Sequence, residues 1–214
     1  AAAMTGLVVQ LGMYPLGQKL TDRLTPEQVA SLTAACQALG MPVTQLEPMR
    51  PWLAATFISE RLITSAGYDP MSGVERTLHP LAASAGKDIR KLETVEQQLR
   101  IFADLPEAEQ VNYLMEGLKE IEGQTALLKE LVDAWAAGDV ETIERIMIDQ
   151  ELADTPMIYE ALLLNRNRRW AEELRRVMEE ETGEIFVAVG AGHLVGRDSV
   201  EELLAATFKV ERVQ

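Results

Sequence analysis

Cysteine and histidine are scarce in this chain of 214 residues, which contains one cysteine and two histidines. Cys36 stands alone, so no intramolecular disulfide can form, and its place in a helical pattern predicts a small buried apolar residue. A zinc site needs about three or four ligands, and one histidine with scattered carboxylates does not supply them convincingly. The sequence also lacks the two-histidine helix motif of zinc proteases, a phosphate-cradling loop and a Gly-x-Ser-x-Gly elbow. The residues by themselves therefore predict where a site lies but name no reaction.

Basic charge, long apolar runs and aromatic residues are also in short supply. The chain has 34 acidic against 20 basic residues, which argues against nonspecific nucleic-acid binding because Lys and Arg must neutralise the phosphates. No apolar run reaches transmembrane length. The first residues, Ala1 to Met4, lack the basic head and long apolar stretch of a signal peptide. Aromatic residues make up 5% of the chain, so leucine, valine, alanine and methionine must fill the core.

Helix signals dominate what is present, with a few strand-like runs between them. Thr25-Pro26-Glu27-Gln28 is a strong helix start, Thr94 to Gln97 has the form of a capping box, and residues 95–150 form a predicted helical region. Four apolar stretches predict strands: Met41–Leu46, Lys87–Leu92, Ile185–Val189 and Phe208–Val213. The predicted fold is α/β to α+β, helix-rich, with a small sheet and a carboxyl-terminal strand–helix–strand unit.

The most informative segment follows the third predicted strand. The glycines of Gly190-Ala191-Gly192 release the chain into a tight loop that delivers His193 just beyond the strand's carboxyl end. Ligands of α/β proteins gather at such ends, so His193 is placed for metal ligation or proton transfer. The alternative is a loop histidine hydrogen-bonded to backbone. Asp198 is the predicted N-cap of the next helix.

The helix after Pro156 carries polar residues on an otherwise apolar stripe. Asn167 and Trp170 share one face by steps of three and four, Arg166 lies beside that face, and Arg168 points to the opposite side. A buried arginine or asparagine must be paired or fully hydrogen-bonded. The pattern permits a structural ion pair with a helix–helix hydrogen bond, or an anion or transition-state contact in a site.

Two carboxylates are the remaining candidates. Glu75 follows Gly73 in the first turn of a helix, where the helix dipole alone could explain an acidic residue, and Glu93 is placed similarly before a capped helix. His79 lies four residues after Glu75, so both side chains could face one point on the helix. Such a pair can supply two ligands of a metal site, or it can be a pair on the helix surface.

Several motifs together resemble those of the TraB/GumN family, relatives of the Tiki proteases. The carboxyl-terminal part of the resemblance is Gly190-Ala-Gly-His193-Leu-Val-Gly196, followed by Leu203-Leu204 and Val210-Glu-Arg-Val213. The upstream part comprises, in order, Gly17-Gln-Lys-Leu20, Leu24-Thr25, Pro51-Trp52, Gly73-Val-Glu75, Gly86-Lys87, Leu92-Glu93-Thr94, Gln98, Gly138-Asp139 and Arg166-Asn167. Since these matches run along nearly the whole chain, we expect a single domain over residues 1–214.

The resemblance implies a metal-dependent hydrolase, peptidase-like, with two Gly-x-x-His motifs, a glutamate and an arginine. The second motif matches Gly190 to His193, which implies His193 as a metal ligand, and the arginine matches Arg166. Arg166 and Glu75 are then the expected catalytic residues. Gly190, Gly192, Asn167 and Glu93 are the expected supporting residues.

The chain departs from the family in lacking the first Gly-x-x-His and the acidic strand after it. We therefore expect a sequence truncated at its amino terminus, inactive as this fragment, with a divalent metal in the intact protein and none tightly bound here. A degenerate member is the other explanation. The alternative function is a non-enzymatic metal-, haem- or peptide-binding protein.

The expected partners are a peptide or small-molecule substrate and a second copy of the chain in a homo-oligomer, with no nucleic acid and no transmembrane segment. The resemblance to bacterial members implies an exported, periplasmic protein.

Overall fold

The computed structural model describes residues 2–119, 121–150, 152 and 155–213. Contacts between residues divide the chain into two compact units, residues 1–126 and residues 127–214. None of the helices in the described ranges is both long and apolar enough to cross a membrane.

The first unit is built from helices joined by short turns. Its helices are α1 (Ala2–Gly12), α2 (Pro26–Ala38), α3 (Pro51–Ser65), α4 (Val74–Ser84), α5 (Val95–Ala103) and α6 (Glu107–Leu118), with 3-10 turns at Leu20–Arg23, Val43–Gln45 and Pro70–Ser72. Helix α6 packs on α2 and α3, and α5 packs on α1. The helix α7 (Ile121–Ala137) passes from this unit into the next.

The predicted helix starts are confirmed at two capping boxes. The Thr25 hydroxyl accepts a hydrogen bond from the Gln28 backbone N–H at 3.3 Å, and the Gln28 side chain accepts from the Thr25 N–H at 2.9 Å. Thr94 and Gln97 make the same reciprocal pair at the start of α5. These pairs satisfy donors that no intrahelical carbonyl can reach.

The core of the first unit is aliphatic, as the shortage of aromatic residues predicts. Its buried members are Leu20, Leu32, Cys36, Met41, Leu46, Ala54, Ala55, Ile58 and Leu114. Cys36 is fully buried, which confirms its reading as a small apolar residue, and burial raises the pKa of its thiol. Trp52 stacks on Phe102 with ring centroids 6.1 Å apart, so two of the few aromatic residues pack against each other.

The second unit contains the end of α7 followed by further helices and turns. Its helices are α8 (Val140–Glu144), α9 (Pro156–Tyr159), α10 (Asn165–Glu180) and α11 (Val200–Ala205), with π-helical turns at Arg145–Gln150 and Glu160–Leu164 and a 3-10 turn at Ala191–His193. Helix α10 packs on α11 and continues directly from the second π-helical turn. Ala134, Ile143 and Val195 form a small buried cluster, against which Met147 and Ile148 of the first π-helical turn pack.

The predicted α/β to α+β fold is wrong, because the described residues contain helices and turns but no strand or sheet. The first predicted strand contains the 3-10 turn Val43–Gln45. Lys87–Leu92, Ile185–Val189 and Phe208–Val213 have no regular structure, so the strand–helix–strand unit reduces to α11 between two irregular segments. The described residues contain one isolated bridge, between Met13 and Met49.

The physical reason lies in what an apolar run can and cannot specify. Apolar patterning indicates a tendency to be buried, whereas a strand also needs a neighbour that takes its backbone N–H and C=O groups. Phe186 is 80% exposed and Val213 is 96% exposed, so these runs are not buried against a partner strand in the structure.

Leu114 of α6 is fully buried in the core of the first unit, so Leu114→Ala should leave a cavity between α6 and the helices it packs on. We expect the free energy of unfolding to fall by about 2–5 kcal/mol, measured by urea denaturation. Leu81→Ala on α4, where the side chain is 60% exposed, is the matched control and should change stability by less than about 0.5 kcal/mol. Equal losses for both variants would contradict this core assignment.

Candidate functional site

Helix α10 and the turn at Ala191–His193 bring three of the predicted site residues into contact. Arg166 Nη1 lies 3.0 Å from His193 Nε2 and also donates a hydrogen bond to the Leu162 carbonyl at 2.9 Å. His193 Nδ1 lies 2.6 Å from Asn167 Oδ1. The two consecutive helix residues therefore contact the two opposite nitrogens of one imidazole ring.

The chain of hydrogen bonds ends at the backbone of Asp198, and its direction follows from its two ends. A guanidinium can only donate, so His193 Nε2 accepts from Arg166. A peptide carbonyl can only accept, so Asn167 Nδ2 donates to the Asp198 carbonyl at 2.7 Å and turns its Oδ1 toward the ring. His193 Nδ1 must then carry the proton that Asn167 accepts.

The cluster is shielded from water by its own ring contacts. Asn167 is 1% exposed and His193 is 7% exposed. The buried Trp170 ring lies 4.4 Å from the His193 ring, centroid to centroid, and Arg166 Cζ lies 4.6 Å from the Trp170 centroid. A guanidinium over an indole face gains about 0.5–2 kcal/mol, so Trp170 helps to hold Arg166 as well as the ring.

Gly190 and Gly192 of the loop differ in how much space a side chain would have at each position. A Cβ at Gly192 would lie 2.5 Å from Met147 Cε and 3.0 Å from its sulfur, so a side chain here would make the flexible end of the Met147 side chain move. At Gly190 a Cβ would lie 3.8 Å from His193 Cδ2, which is an ordinary contact, and φ is −61°. Of the two predicted supporting glycines, Gly192 is therefore the more closely packed.

Asp198 takes a different role from the predicted one, because Ser199 is the N-cap of α11. The buried Ser199 hydroxyl accepts from the Glu202 N–H at 3.3 Å. The Asp198 carboxylate instead accepts from the Tyr159 hydroxyl at 2.7 Å, while its carbonyl accepts from Asn167. Burial, and then the hydrogen bond to Asp198, raise the pKa of Tyr159 to about 12.

Tyr159 is a residue of this site that was not predicted, although its spacing along the chain gives a signal for it. Tyr159, Leu163 and Asn167 follow one another by steps of four, so the stripe of the long helix extends upstream by two turns. The π-helical turn at Glu160–Leu164 interrupts that spacing and is not readable from residue types.

The two predicted carboxylates belong to the first unit. Glu75 is exposed in the first turn of α4, beside Gly73. Glu93 is half-buried before α5, and its Oε1 accepts a hydrogen bond from Gln98 Nε2 at 2.8 Å. The partners described above for His193 and Arg166 are residues of the second unit. The catalytic role expected for Glu75 and the supporting role expected for Glu93 stay predictions.

The metal-ligand role expected for His193 does not fit the geometry around its ring. A metal needs a ring lone pair, but Nδ1 carries a hydrogen and the Nε2 lone pair faces the Arg166 guanidinium. Across the described ranges, no group of three or more His, Cys, Asp or Glu side chains is arranged to hold a metal ion. The residues of this cluster therefore do not form a metal site as they are arranged.

A model of the TraB/PrgY/gumN family matches residues 1–212. No curated protein and no solved structure shows a significant match.

Asn167→Leu should be far more damaging than Arg168→Ala, two positions that are adjacent on α10. The leucine leaves the His193 Nδ1–H and the Asp198 carbonyl without their partner, and the free energy of unfolding should fall by about 2–4 kcal/mol. Arg168 is exposed, and its truncation should cost less than about 0.5 kcal/mol. The measurement is thermal and urea unfolding of both variants, and equal melting temperatures would show that Asn167 does not bridge the loop.

The hydrogen bond from Tyr159 to Asp198 should make stability depend on alkaline pH. The pKa of Tyr159 is raised from 10.0 to about 12 in the folded protein, so its contribution is complete below pH 10 and is lost as the pH rises through about 12. The stability advantage of the wild type over Tyr159→Phe should therefore shrink across that range in urea titrations. Tyr14, whose pKa is also raised, is present in both proteins and cancels. A difference that stays constant from pH 8 to pH 12 would contradict the assignment.

Proposed function

The chain belongs to the TraB/PrgY/gumN family, and from that premise we propose that it is a hydrolase of peptide-like amide bonds in which Arg166 is the electrostatic catalyst. The observation that supports this role is how Arg166 is held. Its Nη1 donates to the Leu162 carbonyl and to His193 Nε2, and its Cζ lies over the Trp170 ring. These contacts hold the guanidinium in place before a substrate arrives.

A fixed cation is what amide hydrolysis needs at its slow step. When water adds to the carbonyl carbon, the carbonyl oxygen gains negative charge, which preorganised donors stabilise more than they stabilise the neutral substrate. The C–N bond then breaks and a proton from the water ends on the leaving nitrogen, so the reaction needs no other reactant. Arg166 is the residue proposed to face the developing oxyanion, because a planar guanidinium presents several N–H groups at once.

The substrate class rests on the resemblance to the Tiki proteases, and the chemistry rests on the buried polar cluster. Since the cluster gives a divalent metal no ligand set, no step is assigned to a metal here. The rival function is a protein that binds peptides without cleaving them at the same cluster.

Arg166→Lys in the full-length protein should lower kcat by about 10²–10³-fold on a library of quenched fluorescent peptides, with KM little changed. Lysine keeps the charge but loses the planar set of donors that reaches both Leu162 and His193. The matched control is Arg168→Lys, on the exposed side of the same helix, which should keep wild-type kcat and KM.

Two results would count against the proposal. Cleavage by Arg166→Lys at the wild-type rate would remove Arg166 from the chemistry. Peptide binding by the wild type, seen by fluorescence anisotropy, with no cleavage after long incubation would favour the binding protein over the hydrolase.

A further inference from the structure

His193 has both ring nitrogens engaged by groups whose hydrogen-bonding roles cannot be exchanged. We propose that His193 is a positioning residue, locked by Asn167 in the neutral Nδ1–H form, which holds Arg166 in place and does not ligate a metal. The effect on catalysis rests on the proposed function of Arg166. The tautomer and the exclusion of metal rest on the contacts alone.

The opposite tautomer would break the cluster at more than one bond. A hydrogen on Nε2 would face the Arg166 Nη1 donor 3.0 Å away, and the bare Nδ1 would face Asn167 Oδ1 at 2.6 Å, acceptor against acceptor. Turning the Asn167 amide over would repair the second contact only by setting its oxygen against the Asp198 carbonyl. Each alternative leaves a buried polar group unpaired, so a single arrangement is favoured.

A metal ion meets the same obstacle from either side of the ring. At Nε2 it would have to displace the guanidinium, a cation that shares its sign of charge. At Nδ1 it would have to remove both the proton and Asn167, which is 1% exposed. One face of the ring is occupied by Trp170. Metal binding at His193 therefore requires that Arg166 or Asn167 first leave.

The arrangement also explains why a histidine serves here. Arg166 and Asn167 are consecutive on α10, so their side chains leave the helix about 100° apart. Imidazole offers an acceptor and a donor on opposite sides of one rigid ring, which matches a donor on one residue and an acceptor on the next. The loop histidine thereby orients the guanidinium and ties residues 190–199 to the helix.

The tautomer can be read directly, because the chain has two histidines. Protein labelled with 15N-histidine should give one imidazole with a pyrrole-type nitrogen at δ1 and a pyridine-type nitrogen at ε2. His79→Gln, at an exposed position of α4, assigns that signal to His193 by removing the other. One equivalent of Zn²⁺ should leave the His193 nitrogens unchanged. A hydrogen on Nε2, or a His193 shift that saturates at one equivalent of Zn²⁺, would overturn the proposal.

Substitution at His193 separates positioning from ligation through peptide cleavage. His193→Leu should lower kcat about 10- to 100-fold, the size typical of losing a group that orients a reacting one. His193→Gln should recover most of that loss, because the glutamine oxygen can accept from Arg166 while its amide donates to Asn167. No recovery in a folded His193→Gln protein would contradict positioning. If the wild type cleaves no peptide, the hydrolase proposal fails, while the nitrogen spectra still decide the role of His193.

Discussion

The hydrogen-bonded chain from Arg166 through His193 and Asn167 to the Asp198 carbonyl is the constraint on which the site of the second unit depends. One end can only donate and the other can only accept, so every group between them has one permitted orientation. His193 and Asn167, the middle members of this hydrogen-bonded row, are buried, so water cannot readily replace a hydrogen-bond partner that either residue loses. The row therefore determines the side-chain orientations and attaches the histidine loop to α10.

The helical elements around this chain are shaped to accommodate it. The turn at Glu160–Leu164 is π-helical, and the Leu162 carbonyl within it accepts from the Arg166 side chain. The turn at Arg145–Gln150 is also π-helical and places Met147 where a side chain at Gly192 would be. Such turns occur frequently at functional sites, where a helix must offer backbone groups or space that a regular α-helix does not.

The sequence predicted features that depend on neighbouring residues well. It predicted features that depend on residues far along the chain less well. The capping boxes at Thr25 and Thr94, the burial of Cys36 and the contrast between buried Asn167 and exposed Arg168 on α10 were all readable, because each depends on residues within about one helical turn. The predicted strands were wrong because a strand depends on a partner elsewhere in the chain. The Asp198 prediction failed by one residue, since Ser199 competes for the same cap.

By itself, the sequence determined the capping-box starts of α2 and α5, the candidate positions Arg166, Asn167 and His193, and the motifs by which the family is recognised. Only the tertiary structure decided which nitrogen of His193 faces which residue, and with it whether the ring can serve a metal. The reason is separation along the chain: His193 lies 26 residues from Asn167 and 27 from Arg166, and Asn167 lies 31 residues from Asp198. Residue types show what a side chain can donate or accept, but the direction of each bond is set by the partner that folding brings to it.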